Sequence, residues 1–207
     1  GYGSNLLYQR IAELYAAAVS GQAAPACEFG DYSSVLVEDA ERDVQGRTQV
    51  AREYWREQLG ALPEAVSFSE RVAPISATFI RHSAVFPAKV WQGMRQLAEA
   101  HKMGWPDLFL AALSAHLRQV SGSAEQVLGL MVMNRMGSAS FNVPCMQMNI
   151  APLCLNLSDE MNLVEAAHSI GKLRRSSRKH QHYRYESLRR DLGLSLIHIS
   201  EPTRRTP

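Results

Sequence analysis

A layered α/β sandwich is the fold this sequence predicts, on three observations. The opening third repeats its apolar residues at helical spacing, two later stretches are near-continuous apolar runs, and a capped amphipathic helix follows them. In the first segment Leu6, Leu7, Ile11, Leu14 and Tyr15 share one helical face. Ser4 is placed to cap it and Gly21 to end it, a helix of about 16 residues. After the small-residue stretch around Pro25, Asp31 can cap a second helix through Val35, Leu36 and Ala40. A third follows Gly46, with Val50, Tyr54, Trp55 and Leu59 on its face and Gly60 and Pro63 as its stop. The stretches Val66 to Val72 and Ala77 to Phe86 are richer in β-branched and aromatic residues and read as strands, although neither face of the second is cleanly polar. Pro87 and Trp105-Pro106-Asp107 each open a further helix, the second closed by Gly122. Val127 to Met133 and Met146 to Leu157 read as central strands buried on both faces and lying in one sheet. Asn162 and Glu165 have capping-box spacing ahead of a long helix through Ile170 and Leu173.

Composition bounds the function. With 207 residues, 46% hydrophobic and 20% charged, the chain can bury one substantial core, which predicts one domain or one and a fraction. No apolar run approaches the roughly 18 residues a membrane helix needs, so no membrane partner is expected. A net charge of +2 is too small to suggest nucleic acid. Cys27, Cys145 and Cys154 lack the paired spacing of zinc or redox sites and read as free thiols of a reducing cytosol; no metal site is expected. Gly1 opens directly into a helix with no initiator Met, which suggests a missing upstream part.

Seven short strings, in order, carry more than periodicity does. Gly1-Tyr2-Gly3-Ser4 looks like the close of an HHxxxDG motif, with Gly1 as its glycine. Phe29-Gly30-Asp31-Tyr32 is an aromatic-acidic string, and Tyr54-Trp55-Arg56-Glu57-Gln58-Leu59 is similar to YWxxxL. Gly129 to Gly137, through Asn134-Arg135, leads to Met148-Asn149-Ile150-Ala151-Pro152-Leu153, which is similar to VNxxPL. His180-Gln181-His182-Tyr183-Arg184-Tyr185-Glu186 is similar to HQxYPxE, and Arg190-Asp191-Leu192-Gly193 to the segment after it. Together these resemble the condensation domains of nonribosomal peptide synthetases across residues 1–193. Two positions depart from the pattern, Arg184 for a common Pro and Met148 for Val.

The resemblance implies two lobes related to chloramphenicol acetyltransferase with the active site between them. Residues 1–62 would be the end of the N-terminal lobe and connecting helices, and 63–193 an incomplete C-terminal lobe. It also implies an acyltransferase-type reaction in which an amine on one carrier-bound substrate attacks a thioester on another, both tethered by phosphopantetheine. The second His of the motif would act at the amine and its Asp would be mainly structural. This chain retains only the remnant Gly1, so no catalytic residue is assigned and the fragment alone is expected to be inactive. The implied partners are the carrier-protein and adenylation domains of the same synthetase, in the cytoplasm, with no directly bound cofactor. Epimerisation, heterocyclisation and acyltransferase relatives share the lobes, and a noncatalytic scaffold of the same fold is a further reading. The stretch 134–149 looks closest to siderophore-type synthetases.

Within that frame the resemblance sets Asn149 on a strand facing the substrate tunnel, where its amide could orient a substrate; a strand amide can equally bond neighbouring backbone. The basic run around Arg174 and Arg175 reads as a solvated helix face, or as a contact for an acidic carrier protein or the phosphate of its arm. Asn134 and Arg135 fit a turn, His116 a core position, and Trp55, Trp91 and Trp105 packing. His180 and His182 end a basic helix and read as structural or solvent-facing. Residues 194–207 match nothing in the family, resemble the translation of a sequencing adapter, and are expected to be a disordered, non-native tail.

Overall fold

A computed structural model describes residues 1–60, 78, 80–158 and 160–193; the expected strand at 66–72 and the tail at 194–207 lie outside them. Three helices open the chain: α1 (Tyr2–Val19), α2 (Tyr32–Val44) and α3 (Arg47–Leu59). Helix α1 starts two residues before Ser4, with Gly1 as its cap, because the backbone of Gly1 already accepts from Asn5 N–H at 3.0 Å. Asp31 does cap α2, accepting from Ser33 N at 3.0 Å. Gly46 adopts φ +68, a left-handed turn that lets α3 start at once.

Residues 80–87 carry no strand, contrary to expectation, and Ile80 and Val85 stand 87% and 94% exposed. Its faces are both mixed, so no apolar surface pins the segment to a partner strand. Helices α4 (Ala88–Ala100) and α5 (Trp105–Ser121) follow, and Gly122 ends α5 at φ +72. Trp91 and Trp105 meet edge to face at 5.1 Å, yet Trp105 is 45% exposed and His116 is exposed. His116 is thus not the core residue the sequence suggested, while the two tryptophans do pack on each other; the buried stripe of α5 is the narrower one of Leu108, Ala111 and Ser114.

Strands β1 (Glu125–Val132) and β2 (Asn149–Asn156) pair antiparallel, from Glu125 opposite Asn156 to Val132 opposite Asn149. One face of β2 is buried along its length (Asn149, Ala151, Leu153 and Leu155), but Ile150 and Asn156 on the other are exposed, so it is not the strand buried on both faces that the sequence suggested. Strand β1 alternates, with Val127 and Met131 exposed, so its apolar run does not mark a central strand. The reason lies in what covers the sheet: Leu153 and Leu155 pack with Leu108 and Ala111 of α5 and with Ala167 and Ile170 of α6 (Leu163–Arg178). Burying Ile170 alone contributes about 1.5–3 kcal/mol. The predicted capping box is present, Asn162 Oδ1 accepting from Glu165 N while Glu165 accepts from Asn162 N, both at 3.0 Å. Gly171 permits the close α5–α6 approach, since a Cβ there would lie 3.0 Å from Asp107 Oδ2.

A second small core joins Trp55 and Leu59 of α3, Ala151 of β2 and Leu188 of α7 (Tyr185–Asp191). Helix α7 was not expected. At seven residues it is too short to show a period, although Glu186 in its first turn and Arg189 and Arg190 in its last suit the helix dipole.

Candidate functional site

Between α6 and α7 the chain crosses the ends of both strands as a strap, residues 180–185, without joining the sheet. Side chains hold it there. Asn149, at the start of β2 and 5% exposed, donates from Nδ2 to Gln181 O at 2.8 Å and Tyr183 O at 2.7 Å. Its Oδ1 accepts from Tyr185 N at 3.0 Å. Just past β1, Asn134 donates to the same Gln181 carbonyl at 3.1 Å. From α3, Trp55 Nε1 donates to His180 O at 2.9 Å and Tyr54 stacks on the His180 ring at 4.0 Å. Thus the HQxYPxE-like string and the Asn of the VNxxPL-like string, 32 residues apart, meet in one set of hydrogen bonds.

Tyr183 carries the strap to α3 by another route. Its hydroxyl donates to Asp191, which also takes a two-pronged bond from Arg52 at 2.9 and 2.8 Å. Burial, then the bond to Asp191, pushes the Tyr183 hydroxyl up to about 12, so it stays a donor at neutral pH. The Tyr183 and Arg52 bonds hold the Asp191 carboxyl below the usual range.

The loop from Met133 to Met148 forms the other wall. Arg135, 3% exposed, donates to the carbonyls of Ser140, Val143 (2.9 Å) and Cys145. Its guanidinium also lies 5.1 Å from the centre of the Tyr2 ring, and Tyr2 meets Phe141 at 5.9 Å. The first turn of α1, capped by Gly1, is therefore seated on this loop. At Gly3 the approach is closer than any side chain allows: a Cβ would lie 2.6 Å from Cys145 O. Asn134 and Arg135 serve the loop, but as buried anchors. Glu38 of α2 holds the same loop, accepting from Ser138 Oγ and Ala139 N at 2.8 Å. Burial opposes its ionisation and these two bonds outweigh that, leaving its carboxyl below the ordinary value.

A polar groove of about 650 Å³ lies beside the strap, between α2 and residues 179–187, and includes Glu38, Arg42, His180 and His182. Burial, with Arg42 next, lowers the His182 pKa; burial and Lys179 lower that of His180. Among the described residues, no group of three or more His, Cys, Asp or Glu could hold a metal ion, and no helix is long and apolar enough to cross a membrane.

The two basic candidates differ. Arg174 donates to Asp107, 2% exposed, from Nε at 2.7 Å and Nη2 at 3.3 Å, so it neutralises a buried carboxylate of α5. Arg175 is exposed beside it. The ties made by Tyr183, Asp191, Arg52 and Glu38 were not foreseen; their partners lie 8 to 139 residues apart, beyond any local pattern.

The family model for the condensation domain matches residues 1–196. The chain is 36% identical over 94% of its length to the dimodular nonribosomal peptide synthase of Bacillus subtilis (strain 168), covering 8% of that protein. It is 36% identical to an isonitrile lipopeptide synthase of Streptomyces coeruleorubidus and 30% identical to the vanchrobactin synthetase VabF of Vibrio anguillarum, each over 94% of the chain, covering 13% and 7% of those proteins. In structure it is similar to the first condensation domain of the calcium-dependent antibiotic synthetase in complex with a substrate analogue. That match has a TM-score of 0.82 at 27% identity, over 93% of this chain and 43% of that one. It also matches VibH, a condensation enzyme, at TM-score 0.72 and 30% identity, over 95% of this chain and 46% of that one. The chain thus spans less than half of those solved domains. On the ordered strings, the strap that joins two of them and these matches, the chain belongs to the condensation-domain family of nonribosomal peptide synthetases.

Proposed function

We propose that this chain is part of a cytoplasmic condensation domain that joins carrier-tethered acyl and aminoacyl thioesters through an amide bond. Its substrates arrive on phosphopantetheine, and its partners are the carrier-protein and adenylation domains of the same synthetase. The observation that supports this most is the 36% identity to a nonribosomal peptide synthase over nearly the whole chain. The likeness to vanchrobactin synthetase VabF favours a siderophore-type product. Residues 1–62 belong on this reading to the end of one lobe with its connecting helices, and 63–193 to the other lobe.

Gly1 begins the helix whose first turn sits on the Arg135 loop, so that loop and Gly3 would position the motif residues that meet the reacting amine. Asn149 lines the tunnel on this reading by fixing the strap rather than by a free amide, since three of its hydrogen bonds are committed to backbone. The test is amide formation by the intact protein with purified carrier-bound donor and acceptor, followed by mass spectrometry. A peptide product is expected; its absence when both carriers are loaded overturns the reading.

Carrier docking falls to Arg175, with Arg174 held by Asp107. Arg175→Glu in the intact protein should weaken carrier affinity on the order of 3–10-fold at low salt and less at high salt. Equal affinity of variant and wild type across salt concentrations overturns that contact.

A further inference from the structure

Asn134 holds a buried oxygen with nothing to bond to. The residue is 6% exposed and its Nδ2 donates to Gln181 O, while its Oδ1 has no hydrogen-bond partner among the described residues. A buried acceptor left unmet is unfavourable, and such groups point to a partner that is not part of the chain. A carbonyl oxygen has lone pairs only, so what it asks for is an N–H or O–H, and it repels an anion.

The residue lines a cleft of about 330 Å³ between the end of β1 and the last turns of α6, apart from the groove beside His182. Val132, Met133 and Met136 supply an apolar side, and both methionines are exposed. Unbranched thioether side chains form surfaces that adapt to differently shaped apolar groups. Of the three arginines in the lining, Arg174 is committed to buried Asp107 and Arg135 to the carbonyls of its own loop. The third, Arg178, is exposed and is a donor only. It disfavours a cation, and among the described residues no Asp or Glu lines the cleft to offset it. With an anion disfavoured at Asn134 and a cation at Arg178, the lining selects a neutral polar group on an apolar body. That group must donate on one side and accept on the other. A carboxamide does both through different atoms, its N–H and its carbonyl.

We infer that this cleft binds a neutral carboxamide with an apolar tail. The amide N–H donates to Asn134 Oδ1, its carbonyl accepts from Arg178, and the tail lies against Val132, Met133 and Met136. The inference stands on the cleft alone and does not depend on catalysis by the intact protein, so a binding measurement tests it separately.

The measurement is titration of the full chain, labelled with ¹³C-methyl methionine, with hexanamide, N,N-dimethylhexanamide and hexanoate. Saturable shifts of the Met133 and Met136 methyl signals are expected with hexanamide. The dimethyl compound, which has lost its N–H, should bind about tenfold more weakly, and hexanoate more weakly still. Glycine suits the φ of +53 at position 134, so Asn134→Gly removes the acceptor and leaves the backbone in place. That variant should bind hexanamide and its dimethyl analogue alike, with the affinity wild type has for the analogue. Arg178→Ala should weaken hexanamide about threefold, as loss of one exposed donor does. Met133→Gln should weaken both amides. The inference is overturned if hexanamide does not saturate those signals, or if the dimethyl compound or hexanoate binds wild type as tightly as hexanamide does. It is equally overturned if Asn134→Gly keeps the preference or weakens both amides equally, or if Arg178→Ala or Met133→Gln binds as wild type does.

Discussion

An asparagine stands where each strand meets the strap, Asn149 at the start of β2 and Asn134 two residues past the end of β1, and the two behave differently. Asn149 follows a loop into the buried strand β2 with ordinary backbone, and its amide makes three bonds to the strap. Asn134 leaves the half-exposed strand β1 in a left-handed conformation, makes one bond to the same carbonyl, and keeps an orphaned oxygen. One amide is fully used for structure, whereas the other is held at some cost. The difference teaches that shared sequence context, an Asn beside an apolar strand, does not fix the role; the number of reachable backbone groups does.

Breaking the fully used amide should have the largest effect. Asn149→Ala strips partners from two carbonyls and one N–H, and should destabilise the chain by about 3 kcal/mol in urea unfolding, at roughly 1 kcal/mol per lost bond. Arg174→Ala, which leaves buried Asp107 without its cation, should cost about 2 kcal/mol, reduced from the value for a fully buried pair because Arg174 is 38% exposed. Asn134→Gly gives up one bond but relieves the left-handed strain, so its change should stay within about 1 kcal/mol of zero. A loss as large as that of Asn149→Ala would erase the contrast.

Acid should loosen the strap in two stages. His180 and His182 titrate below 6.5, so the stability of their uncharged forms is full above that pH and is lost as pH falls through their folded values. Asp191, also depressed, keeps its contribution until pH falls below the carboxylate range. Urea midpoints measured downward from neutral pH should fall in both windows, and His182→Gln should flatten the upper one.

Much of the fold was legible in the sequence because it rested on local signals. Asp31, Gly46, Gly122 and the Asn162–Glu165 pair punctuate helices by chemistry confined to a few residues. What misled was apolar content taken alone: β1 has the composition of a central strand but faces open space on one side, and residues 80–86 have strand composition without strand pairing. In the site, ordered strings pointed to Asn149 and to the 180–186 segment separately. That they bond to each other, and that Arg174 serves Asp107, depends on long-range packing that no spacing encodes.

The contact of Gly3 with Cys145 O sets a tolerance for the whole first helix. With 18 residues, α1 is about 27 Å long. A side chain at position 3 would have to lift its first turn off the loop by part of an ångström, and a tilt pivoting there grows along the rod. The same shift would carry Gly1 and Tyr2 away from the Arg135 loop. A change of one methyl group at Gly3 would thus be felt as misalignment, lowering turnover in the intact protein more than it lowers stability.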